Sequence, residues 1–400
     1  MLDAYIYDGL RSPFGKQAGA LSGIRPDDLL AQVIKKLLDK TGTDPALLDD
    51  HIVGCANQAG EDSRCVARHA GLLAGLPIEV GGTVVQRNCG SGLGALAAAA
   101  HALTAGEGEL ILVGGVESMS RAPFVVAKAE KAFSPNMTVF NSAVGVRFPN
   151  PVIEAQYGAD TMPQTADNLA QEYDLSREQV DQFALASQEK YQAAHEQGWF
   201  NDEIAAIDLP AKGRQPAASV SVDEHPRATN MESLAKLRAL HAGGVTTAGN
   251  ASGINDGAGA LLVGNAAIGK RLGLKPLARV MSTAVCGVPP RIMGIGPVPA
   301  TQKALSRAGI KLEQLDVIEI NEAFAAQALA CVKGLGLKLD DARVNPNGGA
   351  IALGHPLGAS GTRLALTALR QLQRNQGQYA VATMCIGVGQ GISVVLERCS

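Results

Sequence analysis

Aromatic residues make up only 4% of this 400-residue chain and charged residues 18%. The charges nearly cancel at a formal net of -3, so nothing in the electrostatics calls for nucleic acid or an anionic membrane as partner. No uninterrupted apolar run reaches ~18 residues, which excludes a transmembrane helix. "MLDAYIYDGLRSPFGK" at the start lacks a basic region followed by an apolar one, and "ERCS" at the end fits neither a peroxisomal nor a prenylation signal, so a cytoplasmic protein is expected. The seven cysteines are irregularly spaced, odd in number and without a C-x-x-C pair. That argues against a disulfide framework and a zinc ribbon, and no metal is expected. Also missing are G-x-x-x-x-G-K-[ST], H-E-x-x-H and G-x-S-x-G, and "GGAIALG" lacks the acidic residue of a dinucleotide site.

What is present is apolar bulk (46%) and 46 glycines, the composition of an α/β protein whose backbones pack closely. The length exceeds the ~250–300 residues at which one core usually stops growing, so two domains or a duplicated core are expected. Internal repetition supports duplication. Residues 28–54 read as amphipathic helix, short helical turn and buried strand, and 300–320 repeat that order. Residues 83–115 read as strand, glycine-rich turn, helix and strand, and 342–384 do the same with a longer turn. "SGINDGAGALLVGN" and "CIGVGQGISVVLER" each lead from a glycine-rich turn into a final strand. Crossover helices between strands predict largely parallel sheets within each half. Residues 119–249 have no counterpart. They carry helical patterns near 165–195 and 232–241 and read as an inserted loop domain over the first half.

Four places can carry chemistry. Cys89 in "QRNCGSGLGA" follows a strand and precedes a helix, where free N–H groups favour a thiolate. Burial alone pushes the other way, and a small residue filling a crowded turn fits the same ten residues. His355 lies between glycines and Pro356 in the equivalent loop of the second half. Duplication brings equivalent strand ends face to face, so His355 can face Cys89 as its base. Cys385 is a third candidate, at a strand end entering a glycine turn. Asn321 in "NEAFAAQ" fits either a helix N-cap or a residue orienting a water or an oxyanion. Glu322 fits a first-turn acid answering the helix dipole.

Together, "NCGSG", "AGNASGINDGAGAL", "NEAFAAQA", "NPNGGAIALGHPLGASG" and "CIGVGQG", in this order and spacing, closely resemble the thiolase family of acetyl-CoA acyltransferases. "GCANQAGEDSRCVAR", "GGVESMSRAPFV", "RFPNP", "YGADTMPQTADN" and "MGIGPVPA" look most like the degradative subgroup that includes β-ketoadipyl-CoA thiolase. The resemblance implies a duplicated α/β/α layered fold with mixed central sheets. The halves would be 1–268 (core 1–118 and 250–268, inserted CoA-binding loop domain 119–249) and 269–400. It implies Cys89 as nucleophile, His355 as base, Cys385 as second acid/base, and two oxyanion sites. One would be His355 with a water held by Asn321, the other the backbone N–H groups of Cys89 and Gly387, with Gly387 lacking a Cβ that would obstruct the approach.

Coenzyme A or acyl-CoA would be substrate rather than bound cofactor, held by Arg227, Ser233, Ala248, Ser252, Met162 and Phe324. The implied reaction is thiolytic cleavage of a 3-oxoacyl-CoA, with 3-oxoadipyl-CoA as one substrate, or the reverse condensation. The implied assembly is a homodimer or homotetramer. Arg121, Lys128 and Arg147 are candidates to meet a distal carboxylate. An acetoacetyl-CoA-forming acetyl-CoA C-acetyltransferase is the alternative within the family, disfavoured by Thr161 where that subgroup has a His before Met162. A non-catalytic acyl-CoA or lipid-binding relative would have no need to keep Cys89, His355 and Cys385 together. Two departures stand out: Gln86-Arg87 where the family has Asn-Arg, and Gly94 where a larger residue is common.

Overall fold

The structure is a computed structural model and describes residues 2–211, 213 and 216–399. Nine strands line up in one sheet: β1 (Tyr5–Arg11), β2 (Asp50–Gly54), β3 (Thr83–Val85), β4 (Leu110–Ser118), β5 (Asn255–Gly264), β6 (Ala278–Gly287), β7 (Val317–Ile320), β8 (Tyr379–Ile386) and β9 (Gln390–Arg398). Their order is β7-β8-β9-β6-β1-β5-β4-β2-β3, with the short strand Gly15–Lys16 paired to β5. The two ends are the two halves of the chain, and they join where β1 pairs β6 at only Tyr5–Arg279 and Ile6–Ala278.

The sheets are mixed rather than largely parallel. Parallel pairing is confined to β2–β3, β2–β4 and β7–β8, and all other neighbours are antiparallel. The reason is in the connections. β8 and β9 are joined by the three residues Gly387–Gly389, too few for a crossover, so β9 must run back alongside β8.

Three apolar cores set the layers. Helices Ser91–Ala105 and Leu357–Asn375 lie between the two ends of the sheet, where Leu96 and Leu369 share one core with Ile52, Val113, Met384 and Val394. Helix Pro26–Thr41 covers the outer face of the first half with Leu30, Val33 and Ile34. Their spacing is that of one helical face, and Gly42 closes the helix at φ +62°. Helices Pro297–Ala308 and Ala325–Gly334 cover the outer face of the second half. β4 is buried along its whole length, as a strand covered on both faces must be.

The middle helix pair decides where the site forms. A Cβ on Gly92 would stand 2.7 Å from the Gly358 oxygen, and one on Gly361 2.2 Å from the Leu93 nitrogen. Only glycine lets these backbones touch. The two helix N-termini therefore meet, and the loops that lead into them meet as well.

The inserted region departs from expectation twice. Its helices Met162–Glu172 and Arg177–Glu196 present Leu169, Val180 and Ala184 to Ile295, Leu329 and Ala330, so they pack on the second half as well as, through Tyr191 beside Phe14, on the first. The insertion also lies over the first half as expected: Ala205 and Ile207 join its core, Phe200 packs on Phe14, and Asp223 pairs with Arg11. An apolar stripe states that a partner exists but not which one. The helix expected at 232–241 is confined to Met231–Ala235. Gly243 and Gly244 close by disfavour its continuation.

Candidate active site

Cys89 lies one residue before the Gly90 N-cap of helix Ser91–Ala105. Cys89 is half-buried, and loss of solvent pushes its thiol up to about 11, while the backbone N–H groups of Gly387 and of Cys89 itself pull the other way. Cys89 therefore rests as a thiol. Cys385 ends β8 within a small cluster of Met293, Ala323 and Phe324. Burial, then the neighbouring Cys89 and Cys331, hold its thiol well above the usual range.

His355 is a neutral imidazole with one ring nitrogen left to accept. Burial first, then the charge of Arg363, pull its imidazole down to about 3, so the ring is neutral. Ser360 Oγ lies 2.6 Å from Nδ1 and donates its own proton to the Pro356 carbonyl at 2.9 Å. Nδ1 must then carry the ring proton, which leaves Nε2 as the acceptor. Asn321 Nδ2 faces that atom at 3.3 Å. The His355 N–H donates to Asn255 Oδ1 at 2.9 Å. Gly354, at φ +99°, leaves room for the Asn255 amide, which stands 2.5 Å from where a Cβ would be.

The two readings of Asn321 separate here. The N-cap of helix Ala325–Gly334 is Phe324, so Asn321 is free of capping and its side chain turns to His355. Glu322 is not a first-turn acid. It is buried, accepting from Ser187 Oγ at 2.6 Å, Asn345 Nδ2 at 2.7 Å and the Ile351 N–H at 3.2 Å, and so braces the loop that carries His355. Glu117 does the same from the first half. Its carboxylate accepts the N–H groups of Ala56, Asn57 and Gly358 at 3.0, 3.0 and 2.8 Å. Cys55, Asp62 and Glu117 bring ligand atoms within 4.8 Å of one another, but both Glu117 oxygens are occupied by those three N–H groups. The cluster is a clamp between β2, β4 and helix Leu357–Asn375.

Gly387 is open rather than crowded. A Cβ there would meet only Met162 Sδ at 3.7 Å and Asn88 Nδ2 at 3.8 Å, ordinary contacts, so no protein atom obliges this position to be glycine.

Family models for the thiolase N-terminal and C-terminal domains match residues 4–267 and 274–398. The chain belongs to the thiolase family. It is 53% identical, over the full length of both chains, to the β-ketoadipyl-CoA thiolase of Acinetobacter baylyi. Identity is also 53%, again end to end, to the 3-oxoadipyl-CoA/3-oxo-5,6-dehydrosuberyl-CoA thiolase of Escherichia coli. A crystal structure of human mitochondrial 3-ketoacyl-CoA thiolase in complex with CoA superposes with a TM-score of 0.91 at 38% identity, covering 99% of this chain and 98% of that one. The chain is thus an acyltransferase, and the duplicated layered fold is that of its family.

Of the residues expected to hold CoA in this thiolase, most lie along one track. Ser252 donates its backbone N–H to the Ala323 carbonyl at 3.0 Å, and Ala251 bridges to Phe324 beside Cys385. Next to Ser252, a Cβ on Gly253 would strike His225. His225 and Arg227 line a cleft of about 490 Å³ with Lys16, Gln17 and Ile254. Arg227 donates to the Ala248 carbonyl at 2.8 Å, and burial lowers the pKa of its guanidinium, a penalty that an approaching anion would relieve. Met162 stands beside Gly387, its Sδ 3.7 Å from where a Cβ would be. Ser233 is the exception: it is exposed, and only its backbone N–H is held, by Asn230 Oδ1.

Sequence reasoning missed Ser360, Asn255, Glu117 and Glu322 as supports of the His355 loop. Ser360 alone had a local signal, one helical turn beyond Pro356. The others reach His355 across the fold. Gln86, unexplained in sequence, donates to Asn88 Oδ1 at 3.0 Å. Gly94 leaves space that a larger residue would contest with Val85, 3.1 Å from a Cβ there.

Proposed function

We propose that this thiolase cleaves 3-oxoadipyl-CoA with CoA to acetyl-CoA and succinyl-CoA. The observations that carry the reading are the end-to-end 53% identity to 3-oxoadipyl-CoA thiolases and, at one place in the fold, the free thiols of Cys89 and Cys385 with a His355 whose Nε2 is an acceptor beside Asn321. That arrangement is the starting state for nucleophilic catalysis by a base-activated cysteine.

In this mechanism His355 Nε2 takes the Cys89 proton and the thiolate attacks the C3 ketone. The N–H groups of Cys89 and Gly387 receive the charge on the tetrahedral oxygen. The C2–C3 bond then breaks, and Cys385 gives its proton to C2, releasing acetyl-CoA and leaving a succinyl group on Cys89. Protonated His355, with a water oriented by Asn321, steadies the enolate oxygen while C2 carries charge. The Cys385 thiolate next takes the proton of the CoA thiol, which attacks the acyl-enzyme. Cys89 leaves and recovers its proton from His355.

For the distal carboxylate we propose Arg147. Arg121 is gripped by Glu61 at 2.5 and 2.6 Å, and Lys128 is exposed on the arm. Arg147 is half-buried, contacts Asn57 Oδ1 at 2.9 Å and, among the described residues, has no acidic partner. Asn57 is also part of the Glu117 clamp on the strand ends. CoA would follow the track from Arg227 past Ser252 to Phe324 and Met162, with Ser233 at its outer rim. The exposed Phe133, Met137 and Phe148 support assembly of dimers into a tetramer through part of 119–150.

The test is to incubate the protein with acetyl-CoA and locate the acyl group by peptide mass, then to repeat with Cys385→Ser. Acetylation of Cys89 in both, with carbon–carbon cleavage lost only in the variant, is expected. Acylation elsewhere, or equal loss of both steps, sinks the mechanism. Turnover of a medium-chain 3-oxoacyl-CoA far above that of 3-oxoadipyl-CoA sinks the substrate.

A further inference from the structure

Gly387 opens the three-residue turn between β8 and β9, whose far end is held by the Val288 N–H donating to the Gly389 carbonyl at 2.9 Å. The turn is Gly-Val-Gly, Val388 sits at φ +71° and Gly389 at φ +85°, and a glycine with no Cβ rotates readily about its backbone bonds. A β-branched residue in the left-handed region is a strained element that its surroundings must hold in place. One side chain from the opposite half reaches this turn from beside the nucleophile. Asn88 adopts φ +45°, a conformation asparagine tolerates better than most residues, and this orients its amide toward the facing loop. Its Nδ2 donates to the Gly387 carbonyl at 3.3 Å, and its Oδ1 accepts from Gln86 Nε2 at 3.0 Å. Gln86 Nε2 also reaches the Ala56 carbonyl at 3.5 Å, next to the Glu117 clamp.

We infer that Asn88 is a positioning residue, held by Gln86, which ties the Gly387 turn to the nucleophile loop and so keeps the Gly387 N–H aimed at the Cys89 sulfur and the oxygen that develops there. This rests on the thiolase reading above, in which that N–H is an oxyanion donor. The chain Gln86–Asn88–Gly387 links residues 299 to 301 positions apart in sequence and accounts for two neighbours of Cys89 together. The amide at position 88 holds the near side of the turn, and Arg87 Nη1, donating to Gln390 Oε1 at 3.2 Å, holds the residue that follows it.

The experiment compares the wild type with Asn88→Gly, which removes the amide without opposing the positive φ, and with Gln86→Leu, which leaves Asn88 in place but unsupported. Two readouts are taken: the rate of acetylation of Cys89 by acetyl-CoA, and the pH profile of its alkylation by iodoacetamide, both located by peptide mass. In Asn88→Gly acetylation falls about five- to tenfold, the scale of one lost hydrogen bond. The alkylation midpoint rises, because a wandering Gly387 N–H no longer stabilises the thiolate. Gln86→Leu moves both in the same direction by less. A wild type that is not acetylated at Cys89 overturns the thiolase reading itself. A wild type that is acetylated, with both variants matching it in rate and midpoint, overturns the role of Asn88. Should Asn88→Gly fail to fold by circular dichroism, Gln86→Leu decides alone, since Gln86 is exposed and wild-type values there overturn the inference.

Discussion

Ser360 Oγ and His355 Nδ1 lie 2.6 Å apart, and because Ser360 spends its own proton on Pro356, this contact determines which ring nitrogen is basic. Removing the hydroxyl lets the imidazole take the other tautomer and leaves the Nδ1–H unpaired. Ser360→Ala is expected to slow Cys89 acetylation about tenfold or more while leaving the protein folded, since one buried hydrogen bond is worth about 1–3 kcal/mol when its partner is stranded. Stopped-flow acylation beside a thermal melt checks this. Full activity would show that the tautomer is set elsewhere.

Arg147 makes a prediction about specificity. Arg147→Met keeps the length of the side chain and removes the charge. kcat/KM for 3-oxoadipyl-CoA should fall about 10- to 100-fold, the range for a hydrogen bond to a charged group. The same ratio for acetoacetyl-CoA, which has no distal carboxylate, should change far less. Equal losses on both substrates would mark Arg147 as structural support for Asn57.

The helix crossing can be probed by one methyl group. A Cβ at Gly361 would stand 2.2 Å from a backbone nitrogen, which no side-chain rotation relieves. Gly361→Ala should therefore destabilise the protein by about 3 kcal/mol or more, or abolish soluble expression. Gly387→Ala meets nothing closer than 3.7 Å. It should melt with the wild type, so any loss of rate reports on the reacting centre alone.

His51 predicts an acid sensitivity. Its ring is buried, Nδ1 lies 3.0 Å from the Ala67 carbonyl, and burial pulls it down to about 4. Unfolded histidine titrates near 6.5, so below that pH the unfolded chain binds a proton that the folded chain refuses. The stability from a neutral His51 is complete above pH ~6.5 and declines as the pH falls toward 4. Comparing urea unfolding at pH 7 and pH 5, the wild type should lose about 1.5–2 kcal/mol more than His51→Leu. Parallel losses in the two proteins would place the sensitivity at other groups.

The repeats made much of the fold legible. The helix, turn and strand read at 28–54 appear as Pro26–Thr41, Pro45–Leu47 and β2, and those at 300–320 as Pro297–Ala308, Leu312–Gln314 and β7. Periodicity and glycine stops are local properties, so they survive in the sequence. Strand direction was misread because crossover helices describe β2, β3 and β4 but not β5 and β9, which return antiparallel. Placement of the insertion was read for the first half alone, for a related reason. Leu169 and Val180 carry an apolar face whose partner, around Leu329, lies some 150 residues on.

The candidate site shows the same division. The sequence by itself determined which residue types stand at the strand ends: a cysteine before a glycine-opened helix, a histidine between glycines, a second cysteine entering a turn. Those follow from local order, and with their spacing they suffice to point to the family. Only the tertiary structure decided their states. Whether Cys89 rests as thiol or thiolate depends on a contest between burial and two backbone N–H groups, one of them 298 residues away. Whether His355 is neutral, and which of its nitrogens accepts, depends on its burial, on the Arg363 charge and on the Ser360 hydroxyl. Burial and hydrogen-bond partners are properties of the neighbourhood, and the neighbourhood exists only once Gly92, Gly358 and Gly361 let the two helices touch.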